Sequence, residues 1–354
     1  MVDFDLKEFD GKTILVTGGT GSIGSEIVKR LFNESKAKVI RVYSRDEYKQ
    51  FTMQHELGNE SKTLRFLVGD VRDKERLMMA MEGVDVVFHV AALKHVPSCE
   101  FNPFEAIKTN VLGAQNVVEA AMANNVEKVI AISTDKAVNP VNTMGATKLL
   151  AEKLIISANY YKGNKPTKFS CVRFGNVLAS RGSVVPLFIE QIEKGGPLTL
   201  TDEKMTRFIM SVRHAVDLIF KSSSLANGGE IFILKMPVLK VKDLLQVLVD
   251  ELAPKYGLDP KTIEIKTIGS RPGEKMYEEL MTEEEAAISY ELDGLFVIPA
   301  INPLEEVPLF YPKIVSLLES LGGEKCSIKR YSSEDSTPIS QNEIETILKE
   351  EKIV

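Results

Sequence analysis

The sequence predicts an α/β protein, a doubly wound parallel sheet followed by a smaller C-terminal lobe. Three observations predict it. Short β-branched runs alternate with longer amphipathic ones through the first half of the chain. A glycine-rich stretch, Thr17-Gly-Gly-Thr-Gly-Ser-Ile-Gly, follows the first of these runs directly. Beyond about residue 175 the alternation breaks, and Gly, Ser and Pro become frequent. Together these describe a Rossmann-type sheet with a substrate-binding lobe appended.

The elements follow in order. TILVT at 13–17 reads as the first strand, and 22–34 as the helix behind it. KVIRVY at 38–43 is a second strand, followed by a helix from Glu47. LRFLV (64–68), DVVFH (85–89) and KVIAIS (128–133) continue the series. Each run is apolar on both sides, as in a sheet covered by helices on both faces. A helix starts at about Thr143, and KFSCVRFGNV from Lys168 carries the last regular strand. Helix-like segments at 211–226 and 241–252 then flank IFIL at 231–234.

The expected division is a cofactor domain at 1–174, with 205–225 returning to it, and a substrate-binding lobe at 175–204 and 226–320. A polar extension occupies 321–354, ending in the helix-like NEIETILKEEKIV. The pattern leaves a mobile appendage and an oligomer contact both open for it.

Composition narrows the function classes. A net charge of −6 gives no electrostatic support for a nucleic-acid or anionic-membrane surface. Cys99, Cys171 and Cys326 show no CxxC spacing, which argues for a reducing compartment and against a thiolate-held metal. The four histidines, His55, His89, His95 and His214, are scattered and form no HExxH. With no apolar run of membrane-spanning length and no signal-like start, a cytoplasmic protein is expected.

At the cofactor end, Gly18, Gly21 and Gly24 sit at three-residue spacing between a strand and a helix. A dinucleotide pyrophosphate needs that geometry: a sharp turn and backbone N–H groups at a helix N-terminus. The second strand ends in YSRDEYK, where an NAD site usually places a carboxylate. Here Ser44, Arg45 and Lys49 favour the 2′-phosphate of NADP, while Asp46 keeps NAD open. Asp70, closing the third strand, is placed to hold adenine.

At the chemical end, Met144 and Lys148 share one helix face. Thioether sulfur offers no ionisable proton at that position. Tyr160 and Tyr161 lie too far along the helix to replace it, roughly 24 Å at 1.5 Å per residue. Just upstream, Ser133-Thr134-Asp135-Lys136 follows the fifth strand, at the sheet edge where such folds bind ligands. An acid and an amine side by side there can serve as general acid and general base, although a charged surface turn looks the same in sequence.

TGGTGSIG, AALKHVP (91–97), STDKA, NPVNTMGATK, RFGNVLASRGSVVP (173–186) and RPGEK (271–275) together resemble one group. It is the extended short-chain dehydrogenase/reductases that act on nucleotide sugars, and within them the C5-inverting UDP-N-acetylglucosamine 4,6-dehydratases of capsule and flagellar sugar synthesis. The resemblance covers roughly residues 10–320.

It implies tightly bound NADP held by Thr20, Gly21, Ser22 and Ile23, by Arg45, Asp46, Glu47, Tyr48, Lys49 and Gln50, and by Asp70, Val71 and Val90. Lys94, Met144 and Lys148 would complete the cofactor contacts with Val177, Leu178, Ala179, Ser180 and Arg181. The UDP-sugar would lie against Lys94, Asn176, Val184, Thr201, Arg271 and Glu274. Lys136 would remove the C5 proton and Asp135 would help the C6 hydroxyl leave, with Thr134, Met144 and Lys148 beside them.

The implied reaction is internal redox. Hydride leaves C4 for NADP, water is lost across C5 and C6, and the hydride returns to C6. A neutral Lys136 is required, so its pKa must fall from about 10.4. Lys94, Lys148 and oxidised nicotinamide would push it down, and Asp135 would oppose them.

Two positions depart from the family pattern. Met144 stands where much of the family has tyrosine, although a branch that includes 4-epimerases resembles this chain in carrying MxxxK. Tyr277 stands where histidine is usual. The alternatives are a UDP-hexose 4-epimerase, which generally shows small hydroxyl residues in place of Asp135-Lys136, and an NADP-binding sensor without catalysis. Dimers or hexamers are expected by analogy.

Overall fold

The computed structural model describes residues 5–354 apart from 59–60, 179, 181–182, 270–272, 293 and 301–310. Strand and helix alternate from the start: β1 (Thr13–Thr17), α1 (Ser22–Glu34), β2 (Val39–Ser44), α2 (Glu47–Leu57), β3 (Leu64–Val68), α3 (Lys74–Ala80) and β4 (Val86–His89). α4 (Val96–Phe101) and α5 (Pro103–Ala106) then run through a π-helical turn into α6 (Gly113–Ala123), β5 (Lys128–Ile132), α7 (Thr143–Tyr161) and β6 (Lys168–Arg173). Next come β7 (Asn176–Val177), α8 (Val184–Glu193), β8 (Leu198–Leu200), β9 (Thr206–Met210), α9 (Val212–Leu225), β10 (Ile231–Leu234), β11 (Val238–Lys240) and α10 (Val241–Leu252). The chain closes with β12 (Ile265–Thr267), β13 (Glu279–Met281), α11 (Glu283–Ile288), β14 (Tyr290–Leu292), β15 (Leu295–Ile298), α12 (Tyr311–Ser320), β16 (Glu324–Lys325), β17 (Tyr331–Ser332) and α13 (Gln341–Glu350).

The central sheet runs β16-β14-β15-β10-β6-β5-β4-β1-β2-β3. From β3 to β10 every neighbouring pair is parallel. Strand order reverses between β1 and β4, and ligands bind beyond the carboxyl ends of the strands at such a switch point. β1 is buried at all five positions, which is why TILVT needs no polar alternation.

IFIL forms β10 and pairs with β6, so it joins the sheet. β15 then adds antiparallel to β10, with β14 and β16 outside it. The segment 226–320, expected entirely in the lobe, is therefore shared between sheet and lobe. A short apolar run reads alike in either place, and only its pairing decides.

A second apolar core joins α8, α10 and α13 through Phe188, Ile192, Leu244, Leu248, Ile344 and Leu348. The C-terminal segment folds back onto this body. β17 pairs with β13, and Ser340 opens α13 with a reciprocal capping box to Glu343. Among the described residues, no helix is long and apolar enough to cross a membrane.

Candidate active site

The glycine loop is shaped by close approach. Gly18 has φ +67°, and a Cβ there would sit 2.8 Å from the Ala91 backbone nitrogen. At Gly24 a Cβ would meet the Gly18 carbonyl oxygen at 2.3 Å, so α1 packs on the loop only through a missing side chain. Gly21 occupies the α1 N-cap without any side-chain cap, and presents the helix start as an anion-binding end. Val90 closes the other wall, its N–H donating to the Thr17 carbonyl at 3.1 Å.

At the end of β2, Arg45 is half exposed, with Nη1 3.6 Å from Asp70. Asp70 also accepts from the Arg72 side chain, and burial, which would raise its pKa, is overcome by Arg72 and Arg45, which lower it. Asp46 caps α2 by accepting from the Lys49 N–H at 3.0 Å. Gln50 is buried and spends its amide on Ser44 and on the Leu67 carbonyl, tying β2 to β3. Of the expected cluster 45–50, Arg45, Glu47, Tyr48 and Lys49 lie on the exposed side.

At the chemical end, a short 3-10 turn, Asp135–Ala137, follows β5 with Thr134 as its N-cap. Asp135 is fully buried, and its Oδ1 accepts from Thr134 Oγ1 at 2.6 Å, from the Lys136 N–H at 2.9 Å and from Lys136 Nζ at 3.0 Å. Two residues absent from the sequence reading join them. Glu278 Oε1 lies 3.6 Å from Lys136 Nζ and 3.6 Å from Arg207 Nε. Glu278 is 4% exposed, and its Oε2 is buried without a hydrogen-bond partner.

Residues 273–279 are clamped to the loop after the turn. Asn142 Nδ2 donates to the Gly273 carbonyl at 2.8 Å, Lys275 Nζ to the Val138 carbonyl at 2.8 Å, and Asn139 Nδ2 to Glu279 at 2.6 Å. Two motifs more than a hundred residues apart thus make one wall. The available signals were a charged residue inside the apolar run TRFIM, which is Arg207, and a carboxylate pair trailing RPGEKMY.

Electrostatics at Lys136 differ from the expectation. Burial pushes its pKa down, but Asp135 and Glu278 push up harder, and the ammonium is held above its ordinary value. Lys94 is near enough for Lys136 to depress it, after burial does the same. Burial lowers Lys148, whose Nζ donates to the Ile132 carbonyl at 2.5 Å. Glu278 is raised, first by burial and then by Asp135, against the pull of Lys136, Arg207 and Lys275.

Met144 is 3% exposed and packs with Cys99, Ala106, Leu93 and Val96. It fills an apolar seam under the 91–97 loop. Asn176 and Ser183, with Val177, Leu178, Val184 and Arg207, line a cleft in the lobe, and the side-chain oxygens of Asn176 and Ser183 are buried there without partners. Thr201 Oγ1 lies 3.5 Å from Glu274 Oε1, which brings two expected sugar contacts together. Tyr277 lies under the Arg330 guanidinium of the C-terminal segment. Ala179, Arg181 and Arg271 lie outside the described residues, and Ser180 is described between the first two.

Comparison with known proteins places this geometry in a class. The chain belongs to the polysaccharide biosynthesis protein family, whose model matches residues 14–300. It is 58% identical over 347 residues to an uncharacterized membrane protein of Methanocaldococcus jannaschii, covering 98% of each chain. It is 46% identical over 300 residues to the UDP-N-acetylglucosamine 4,6-dehydratase (inverting) of Campylobacter jejuni, covering 84% of this chain and 86% of the relative. A UDP-glucose 4-epimerase of Rickettsia typhi is 43% identical over 345 residues, 96% of each. The crystal structure of Pen from Bacillus thuringiensis superposes with a TM-score of 0.89 at 44% identity, covering 98% of this chain and 99% of that one.

Proposed function

We propose that the chain is an NADP-dependent UDP-N-acetylglucosamine 4,6-dehydratase that inverts C5. The observation that carries this reading is the Asp135–Lys136 pair, joined at 3.0 Å on the turn after β5. Removal of a C5 proton and loss of the C6 hydroxyl need an acid and a base together, whereas 4-epimerisation needs neither at those carbons.

The loop fits a dinucleotide pyrophosphate, because Gly18 and Gly24 let it close tightly against its surroundings while Gly21 leaves the α1 N-terminus without a side-chain cap. Thr20 to Ile23 would hold the pyrophosphate, Arg45 and Lys49 the 2′-phosphate, Asp70, Val71 and Val90 the adenosine half, and Lys148 the ribose. A bound nicotinamide supplies reversible oxidation at the sugar C4. Lys136 Nζ takes the C5 proton, and Asn176, Val184, Thr201 and Glu274, with Arg271, hold the UDP-sugar.

The proton of the C4 hydroxyl needs a path that Met144 cannot provide. Thr134 Oγ1 supports one, since it donates to Asp135 at 2.6 Å. A proton passed from the C4 hydroxyl through Thr134 would leave Asp135 protonated, the state it needs to protonate the departing C6 oxygen.

The second reading is a UDP-hexose 4-epimerase, favoured by the Rickettsia typhi relative of that name. Incubation of the purified protein with UDP-N-acetylglucosamine in heavy water, followed by NMR and mass spectrometry, separates the two. Loss of water with deuterium at an inverted C5 is expected. A galacto product without deuterium would establish the epimerase instead, and unchanged sugar with tight NADP binding would overturn both.

A further inference from the structure

We propose that Glu278 is the internal proton acceptor of Lys136, the group that converts the lysine from ammonium to amine before it attacks C5–H. The proposal rests on the dehydratase reading above.

Two carboxylates face the Lys136 ammonium, and they are not equivalent. Asp135 Oδ1 is satisfied by Thr134 Oγ1, the Lys136 N–H and Lys136 Nζ. Its charge is solvated by the protein, and in the path above the proton it takes comes from the C4 hydroxyl through Thr134, which leaves the Lys136 proton to another acceptor. Glu278 faces two cations at 3.6 Å through Oε1, with no direct hydrogen bond to either side chain. Its Oε2 is buried and unpartnered. A buried carboxylate with one bare oxygen is a costly anion and a comfortable acid.

The surrounding charges set the direction. Glu278 meets Lys136 and Asp135 from the turn after β5, Arg207 from β9, and Lys275 from its own segment. Behind it, the Glu278 backbone is pinned by the C-terminal segment: its N–H donates to Ser333 Oγ at 2.9 Å, and its carbonyl accepts from the Ser333 N–H at 2.9 Å. The carboxyl is therefore held at Lys136 by a strand pair, β13 with β17.

The step balances within the pair. One ammonium N–H bond of Lys136 breaks and an O–H bond forms on the Glu278 carboxyl. A separated ion pair becomes a neutral pair, with no net change in charge or proton count. Substrate entry removes water from Lys136, whose side chain is 26% exposed, and drying a site penalises the ion pair more than the neutral one. This resolves why a lysine held above its usual pKa can act as a base. The carboxylate that raises it is also the place its proton goes.

The test compares the unmodified protein with Glu278→Gln and Glu278→Asp in the heavy-water assay across a pH series. In the unmodified protein the amine–acid pair holds the same number of protons as the ion pair, so the dehydration rate is flat through neutrality. Glu278→Gln must lose the Lys136 proton to solvent. Its kcat should fall by about 100-fold at neutral pH and climb with pH, with KM nearly unchanged. Glu278→Asp should be slow yet keep the flat profile.

A Glu278→Gln protein with the parental rate and profile overturns the proposal. Should Glu278→Gln fail to fold, infrared difference spectra of the unmodified protein decide. Addition of UDP-N-acetylglucosamine should produce a protonated-carboxyl band, and its absence overturns the proposal. An unmodified protein that yields no dehydrated sugar would instead refute the dehydratase reading itself.

Discussion

The two ends of the cleft are built by different means. The cofactor end is made of backbone: Gly18, Gly21 and Gly24 shape a loop whose function lies in absent side chains and a helix start. The chemical end is made of side chains delivered from four separate segments, at Asp135–Lys136, Arg207, Glu278 and, behind it, Ser333. The first is local in sequence and needs only space. The second is global, and needs charges balanced against one another in a nearly dry wall. One end is therefore spoiled by adding atoms, and the other by removing a charge.

The largest expected effects expose that contrast. Gly24→Val should remove dehydration and NADP binding together, because even its Cβ would overlap the Gly18 carbonyl oxygen at 2.3 Å. Lys136→Ala should remove dehydration by about 100-fold or more while NADP still binds. Fluorescence titration with the cofactor beside the heavy-water assay reads both. A Lys136→Ala protein that dehydrates at the parental rate would dissolve the distinction between the ends.

The same contrast explains what could be read in advance. Every strand from β1 to β6 was legible, because β-branched runs act within a few residues. The glycine loop was legible for the same reason. Asp135 and Lys136 were visible as a pair, but the sign of the lysine's shift was not. Asp135 raises it most and Glu278 adds to that, and the approach of Glu278 depends on β13, β17 and the clamp between residues 138–142 and 273–279. Likewise IFIL was expected within the lobe and lies in the central sheet beside β6, since pairing partners leave no local mark.

A buried network supports the chemical end from behind. Arg173 is 1% exposed and forks onto Glu152 at 2.6 and 2.8 Å and onto Glu285 at 2.7 and 2.8 Å. Ser133, just before the Asp135–Lys136 turn, donates to Glu152 at 2.7 Å. Arg173→Met strands two carboxylates and should cost about 3–5 kcal/mol of stability, read by chemical denaturation. A loss below about 1 kcal/mol would show that the network is not holding β5 and β6 together.

Acid should act on the cofactor end first. His89, at the end of β4, is buried, bonded through Nδ1 to Thr17 Oγ1 at 2.8 Å, and burial followed by Lys148 drops its pKa to about 3. The unfolded chain binds that proton near pH 6.5 and the folded chain does not. Stability is therefore lost as pH falls below about 6.5 and continues to fall toward the folded value, by about 1.4 kcal/mol per unit at the steepest. His89→Asn should flatten that slope in thermal unfolding between about pH 4 and 7. An unchanged slope would place the acid sensitivity elsewhere.

The smallest effect tests where the site stops. Tyr277 departs from the family pattern only one residue from Glu278, yet its ring lies beneath Arg330 of the C-terminal segment, 5.8 Å from the guanidinium carbon. Arg330 is itself tied to Asp335 and Glu334 on the surface. A partly buried cation–π contact of this kind is worth about 0.5–2 kcal/mol. Tyr277→His should therefore shift stability by no more than that and leave kcat and its pH profile unchanged. Were the pH profile to move, the histidine would have to reach Glu278 or Lys136, and the boundary of the proton-handling group would include position 277. With both unchanged, that boundary falls between two adjacent residues on one strand approach, Glu278 facing the cleft and Tyr277 facing the C-terminal segment that holds it.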